Sequence, residues 1–276
     1  MSKKSVQHML LAGLLFSLMN VAVKMIPHIP AIEIILFRSV MSFFMTYFAL
    51  KRIHVPLLGN NKKLLITRGI AGSIGLMAFF YNLQTIPLAS AVTINYLAPI
   101  FTTILGIFIV KEKVAKRKYL YFGVSFIGVI IIEGFDPRIT SFDLAIGLIA
   151  SLAMGVAYNV IRKLKNSEHP LVIMFYFPLI TTPIAAVLSY FYWITPVGTD
   201  WLVLIIVGVL TQAAQYFMTL AYQNANLSKV ASLSYVGIIY ALSFGFLIFD
   251  ETYSLITYMG MVLVLAGVIL NVTSKK

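Results

Sequence analysis

Cysteine is absent from this chain of 276 residues, which excludes disulfides, thiolate chemistry and thiolate metal sites. Charge is also scarce. Only 11% of residues are charged and 60% are hydrophobic, against roughly 25% charged in soluble domains. One water-soluble core cannot hide that much apolar side chain, so the expected class is an all-α polytopic membrane protein. The histidines, His8, His28, His54 and His169, all fall at the ends of apolar runs or in loops, which excludes a central histidine proton relay. No phosphate-binding loop, HExxH or ligand cluster occurs, so neither an ATP engine nor a metal or other cofactor is expected. The sparse His and acidic residues likewise argue against an integral-membrane enzyme. No aspartate lies inside an apolar run, and Glu33 is read as the one carboxylate within a span, Glu133 at the end of its run being counted with the outer side.

What is there is a series of apolar runs, at 9–26, 31–50, 64–83, 88–110, 119–134, 144–162, 171–193, 201–222, 230–249 and 253–272. At about 20 apolar residues per span, they predict about ten transmembrane helices and leave no room for a soluble domain. Lys3 and Lys4 before the first run resemble a secretory signal, but no small-residue cleavage site follows, so the run is expected to be a retained span.

The net charge of +12 is explained by loop position rather than by nucleic acid. With the N-terminus cytoplasmic, the cytoplasmic side receives Lys51, Arg52, Lys62, Lys63, Arg68, Lys111, Lys113, Lys116, Arg117, Lys118, Arg162, Lys163, Lys165, Lys229 and both termini. The outer side receives Glu133, Asp136, Asp143, Asp200, Asp250 and Glu251, with Arg138 its one loop cation. This asymmetry fits ten spans with both termini in the cytoplasm.

A segment is repeated. Asn95–Lys113 and Ser234–Thr252 align with Tyr96 on Tyr235, Gly106 on Gly245 and Glu112 on Glu251, yet a basic cluster follows the first and an acidic pair ends the second. Gly13, Ser17 and Leu18 also match Gly147, Ser151 and Leu152; His28-Ile29-Pro30 matches Glu168-His169-Pro170; Leu88 matches Leu227. Five spans is an odd number, so the second copy is inverted. The expected units are 1–138 and 139–276, two inverted five-helix repeats forming one membrane domain, as transporters are built.

Glu33-Ile34-Ile35-Leu36-Phe37-Arg38, the run from Leu88 through Leu97-Ala98-Pro99 to Glu112, and Gly245 to Glu251 carry a resemblance over essentially the whole chain. The chain resembles the drug/metabolite transporter superfamily, in its EamA-type group of ten-helix exporters. That resemblance implies a central cavity among spans one to four and six to nine, with spans five and ten peripheral. It also implies export. The second copy has Ile238 where the first has Pro99, so proline-linked flexibility is not expected in both halves.

Polar groups in hydrocarbon need a partner or a wet cavity, so they nominate the site. Lys24 and Glu33 lie three residues from the prolines of the first turn, at similar depth. They are expected to form a structural ion pair, with substrate binding by Lys24 and coupling through Glu33 as the competing readings. Arg38 lies five residues deeper, about 7.5 Å along a helix, and serves fold support or substrate binding. Gly13, Ser17, Asn20 and Lys24 share one helix face. Gln212, Gln215, Tyr216 and Thr219 recur at near-helical spacing, Ser151 and Tyr158 share a face, and Asn95 and Tyr96 are the repeat partners of Ser234 and Tyr235. Candidate substrate-binding residues are Asn20, Lys24, Arg38, Tyr81, Asn95, Tyr158, Gln212, Tyr216 and Tyr235, against a competing reading as ordinary packing and interhelical hydrogen bonds. Tyr190, Tyr192, Trp193 and Trp201 read as interfacial anchors.

The expected function is secondary transport of a small polar or amphipathic metabolite, amino-acid-like or otherwise carboxylate-bearing, across the inner membrane by alternating access. Export is expected, with a proton or counter-substrate as a candidate coupling partner and the bilayer as the surroundings. The alternative is uptake or exchange of an anionic or nucleotide-linked metabolite, which requires more free positive charge in the cavity. A pure channel is the remaining reading.

Overall fold

The structure is a computed structural model and describes residues 3–95, 97–111, 115–134, 138–225, 230, 233–234 and 236–273. Among the described residues every regular element is an α-helix: α1 (Lys3–Lys24), α2 (Ala31–Arg52), α3 (Lys62–Thr85), α4 (Leu88–Asn95), α5 (Ala98–Ile109), α6 (Lys116–Gly134), α7 (Ser141–Lys163), α8 (Pro170–Ser189), α9 (Asp200–Asn224), α10 (Val236–Phe249) and α11 (Leu255–Thr273). Among the described residues seven stretches are long and apolar enough to cross a membrane: most of α1, α2, α3, the α4–α5 run, α7, α8 and α9; α10 and α11 supply shorter apolar segments.

Local chemistry sets several boundaries. Thr140 and Asp143 form a reciprocal capping box that starts α7. Asn61 accepts the Leu64 N–H at 3.2 Å and starts α3. The run expected at 88–110 divides into α4 and α5. Leu97 N–H turns back to the Ile94 carbonyl at 3.0 Å, and Pro99, which has no N–H, sits in the first turn of α5. The run expected to end at residue 193 stops at Ser189, and residues 190–199 continue as a loop whose Ile194 N–H donates to Glu33. Arg68, counted above with the cytoplasmic loops, lies inside α3 and is buried.

The helices associate as α1 along α9, α3 along α7, α2 along α8 and α6 along α11. In lipid such contacts gain by close van der Waals packing, so small residues at crossings matter. Gly147 shows this where α7 meets α4: a Cβ there would come within 2.1 Å of Ile94 Cγ2. Close approach lets the Ser151 hydroxyl donate to the Ile94 carbonyl at 2.9 Å and the Asn159 amide to the Thr102 carbonyl at 2.8 Å, one on each side of the α4–α5 break.

The bundle has two chemically distinct ends. At the acidic end His28 contacts Asp200 at 3.0 Å, and Asn82 and Thr85 reach Asp143. At the basic end, near Arg52, Lys62 and Arg162, the Glu168 carboxylate accepts the N–H groups of Asn60 and Asn61 at 2.7 and 2.5 Å. One apolar cluster, around Met19, Ile34, Leu83 and Val207, fills the acidic half. A second, around Met9, Leu65, Val160 and Tyr222, fills the basic half.

Candidate functional site

Between the two clusters lies a cavity of about 110 Å³. Its polar walls are Asn20 of α1, Arg38 of α2, Asn95 at the end of α4, Tyr158 of α7, Gln215 of α9 and Ser234. Phe16, Met19, Phe79, Phe80, Val92 and Met218 supply much of the apolar lining. Five helices therefore deliver one polar residue each, with Ser234 the sixth, to a mostly apolar chamber, the usual construction of a small-molecule site. Asn95 stands where α4 ends, and helix interruptions at such depth are tolerated where they line a cavity.

Arg38 is the chemical centre of this chamber. It is only 2% exposed. Its Cζ stands 5.1 Å from the Phe80 ring centroid and 5.9 Å from that of Phe177, and Nη1 is 3.9 Å from the Met19 sulfur. These contacts cushion the cation without neutralising it. Arg38 Nε, Asn20 Oδ1 and Asn95 Oδ1 are buried and have no hydrogen-bond partner among the described residues. A buried guanidinium donor with no acceptor is costly.

The pair expected between Lys24 and Glu33 is not formed. Lys24 donates instead to Glu251 Oε1, from the loop after α10, and lies 5.3 Å from the Phe249 ring centroid. Glu251 also accepts from the Leu88 N–H at 3.0 Å and from the Tyr253 hydroxyl. The carboxylate thus caps the N-terminus of α4, where a negative charge is favoured. Burial alone would push the Glu251 carboxyl up, but the hydrogen bonds from Lys24, Tyr253 and Leu88 outweigh it and hold it below its ordinary 4.5. Glu33 points elsewhere: fully buried, it accepts the Ile194 N–H at 3.0 Å through Oε2, while Oε1 has no partner among the described residues. The two side chains thus take different partners. Lys24 lies four residues beyond Asn20, about 6 Å along α1, so the Lys24–Glu251 contact stands on the acidic-end side of the cavity.

Of the other candidates, Asn20, Asn95 and Tyr158 line the cavity. Tyr158 stacks on Tyr222 with centroids 4.6 Å apart. Three do not line it. Tyr81 is 40% exposed and packs edge-on against Phe142. Gln212 donates to the Thr46 hydroxyl at 2.8 Å and ties α9 to α2. Tyr216 is 38% exposed beside Phe217. Tyr235 and Tyr96 lie outside the described residues. On α9 it is Gln215 and Met218 that turn inward; the polar residues at 212, 215, 216 and 219 share an arc of about 100°, so spacing names the face but not which of them reaches the cavity. Arg68, with Gln215 and Phe177, was missed because its position six residues into α3 reads as a loop cation, although it is only 3% exposed.

Comparison with known proteins follows from this geometry. The model of the EamA-like transporter family matches the chain twice, over residues 3–134 and 142–273. A pseudopaline exporter of Pseudomonas aeruginosa is 28% identical over 277 residues, covering 99% of this chain and 98% of its own. An S-adenosylmethionine uptake transporter of Rickettsia felis is 23% identical over 216 residues, covering 76% and 72%. Solute carrier family 35 member G1 of Mus musculus is 26% identical over 261 residues, covering 87% and 70%. A crystal structure 17% identical in sequence superposes with a TM-score of 0.78, over 99% of this chain and 97% of that one, a likeness of fold. The protein is a multi-pass membrane transporter and not an enzyme, and the chain belongs to the EamA-like transporter family.

Proposed function

We propose that the protein is a secondary active transporter exporting a small carboxylate-bearing metabolite, amino-acid-like or related, across the inner membrane by alternating access. The observation that carries this reading is the chamber between the two apolar clusters, where the buried Arg38 guanidinium faces unpartnered Asn20 and Asn95 oxygens. The guanidinium takes the carboxylate in a bidentate grip, while Asn20, Asn95, Gln215 and Ser234 orient the remainder and Tyr158 offers a ring face. Lys24 acts as a gate group rather than as a substrate ligand. Export accords with the name of the Pseudomonas relative.

The topology proposed is ten spans in two inverted units, 1–138 and 139–276, with both termini cytoplasmic and the acidic end outside. Two findings support it. The family model matches once in each half. The end contacts are also crossed: His28, just before α2, meets Asp200 at the start of α9, and Glu168, just before α8, meets Asn60 and Asn61 at the start of α3. Alternating access then consists of rocking the halves about the chamber, with Lys24–Glu251 parting as the acidic end opens. Glu33, whose Oε1 lacks a partner among the described residues, is the intramembrane carboxylate available for proton coupling.

The test is counterflow in proteoliposomes after a thermal-shift screen of carboxylate metabolites. Saturable exchange that Arg38→Gln abolishes is expected; exchange unchanged in that variant overturns the site. A reporter fused at Asp136 is expected to report an outer location, and a cytoplasmic signal overturns the five-plus-five topology.

A further inference from the structure

Arg68 is a second buried guanidinium beside the same chamber. Its Cζ stands 5.1 Å from the Phe177 ring centroid, the ring that Arg38 approaches at 5.9 Å. The two guanidinium carbons are therefore separated by at most about 11 Å, the sum of those distances. Gln215 Oε1, its hydrogen-bond partner among the described residues, lies at 3.5 Å from Nη2, the outer limit of a hydrogen bond. Nε and Nη1 are buried without an acceptor among the described residues. Gly72 makes room for this group, because a Cβ there would come within 2.1 Å of Arg68 Nη1. A side chamber of about 30 Å³ against Arg68 and Gly72 shares Leu76, Met154, Tyr158 and Gln215 with the main cavity.

Neither guanidinium forms a salt bridge with a carboxylate among the described residues. The buried carboxylates among the described residues are engaged elsewhere: Glu33 with Ile194, Asp143 with Thr140, Glu168 with Asn60 and Asn61, Asp200 with His28, Glu251 with Lys24. A ring face attracts a guanidinium but supplies no counter-charge. Two uncompensated cations in a low-dielectric interior are expensive unless something anionic joins them. Resting on the reading of the chamber as the transport site, we propose that the solute carries two separated oxyanionic groups, one held at Arg38 and the other at Arg68, with Phe177 between them. Arg68 is then the residue that distinguishes dianions from monoanions.

The experiment compares succinate and glutarate with butyrate and pentanoate, and adds phosphonoacetate, in thermal-shift titrations of the purified full chain and in counterflow. Dianions are expected to raise the melting midpoint at lower concentration than their monoanionic counterparts. A response to succinate or glutarate assigns a carboxylate to the Arg68 subsite; a response to phosphonoacetate alone assigns a phosphoryl oxyanion there. Arg68→Gln is expected to weaken dianion binding about 10–100-fold, the worth of a charge-assisted contact, and to leave monoanion binding within about twofold. Gly72→Ala, which keeps the charge but displaces Nη1, moves the same ratio in the same direction and covers the case in which Arg68→Gln does not fold. Equal binding of mono- and dianions by the native chain, or an equal loss of both in the folded variants, overturns the proposal while the carboxylate site stands. If none of these anions binds or exchanges, the transport-site reading falls with it.

Discussion

Replacing Glu251 by Gln is expected to loosen the acidic end without disturbing the chamber. The amide is nearly isosteric, so its oxygen still accepts the Leu88 N–H that Glu251 holds at 3.0 Å. What is lost is the charge facing Lys24. Removing one partner of a fully buried pair costs about 3–5 kcal/mol, and an exposed pair is worth about 1 kcal/mol or less. Here the side chains are 21% and 8% exposed, which places the loss near about 2 kcal/mol, or roughly 30-fold in the balance between closed and open forms at that end. The native chain has no cysteine, so Asn95→Cys gives one reactive thiol inside the cavity. A membrane-impermeant maleimide applied outside cells, where the proposed topology puts the acidic end, is expected to label that thiol markedly faster when Glu251→Gln is added. Lys24→Met is expected to do the same, and the double variant to add little more than either alone, the mark of a coupled pair. Unchanged labelling in Glu251→Gln, or full additivity in the double variant, refutes the assignment of this contact as a closing element.

The same contact sets a pH dependence. The folded Glu251 carboxyl titrates below its ordinary 4.5, so its stabilisation is complete above that value and is lost as pH falls through the lower, folded value; the melting midpoint of the native chain in detergent is expected to fall under acid conditions, and that of Glu251→Gln to fall less. Gly147→Leu is expected to cost at least about 1–3 kcal/mol by overpacking, since a Cβ already meets Ile94 at 2.1 Å, read as a lower melting midpoint in detergent. Glu168→Ala leaves the N–H groups of Asn60 and Asn61 without their acceptor and is expected to lower stability by about 1–3 kcal/mol while leaving the affinity of the folded fraction unchanged. Tyr216→Phe and Tyr81→Phe, whose rings face away from the cavity, are expected to leave counterflow within about twofold, a small loss by the arithmetic of binding.

Apolar run length identified the helical class and nearly every helix, because lipid demands continuous helical hydrogen bonding and leaves few alternatives. It failed where short-range chemistry ends a helix without ending the apolar run, as at Ser189 and at the α4–α5 break. The site was legible to the extent that one polar residue per helix face pointed inward: Asn20, Arg38, Asn95 and Tyr158 all reach the cavity. Rotation about a helix axis is set by neighbours distant in sequence, which is why Gln215 rather than Gln212 turns inward. Partner choice is likewise tertiary. Lys24 finds a carboxylate 227 positions away rather than one at equal depth on the next helix. Arg68 was hidden by its company, since a cation just past Lys62 and Lys63 looks like one more loop charge until burial is known.

The two crossed end contacts join corresponding places with different chemistry: an imidazole and a carboxylate at one end, a carboxylate and two backbone N–H groups at the other. An inverted duplication with identical contacts has two facing states that map onto each other by symmetry and so have equal energy. Such a carrier has no preferred resting side. Under the proposed inverted topology, building one contact from an imidazole and a carboxylate and the other from a carboxylate and main-chain donors lifts that degeneracy. In the proposed alternating-access cycle the repeat would provide the mechanical reciprocity, and the divergence at His28, Asp200 and Glu168 its bias.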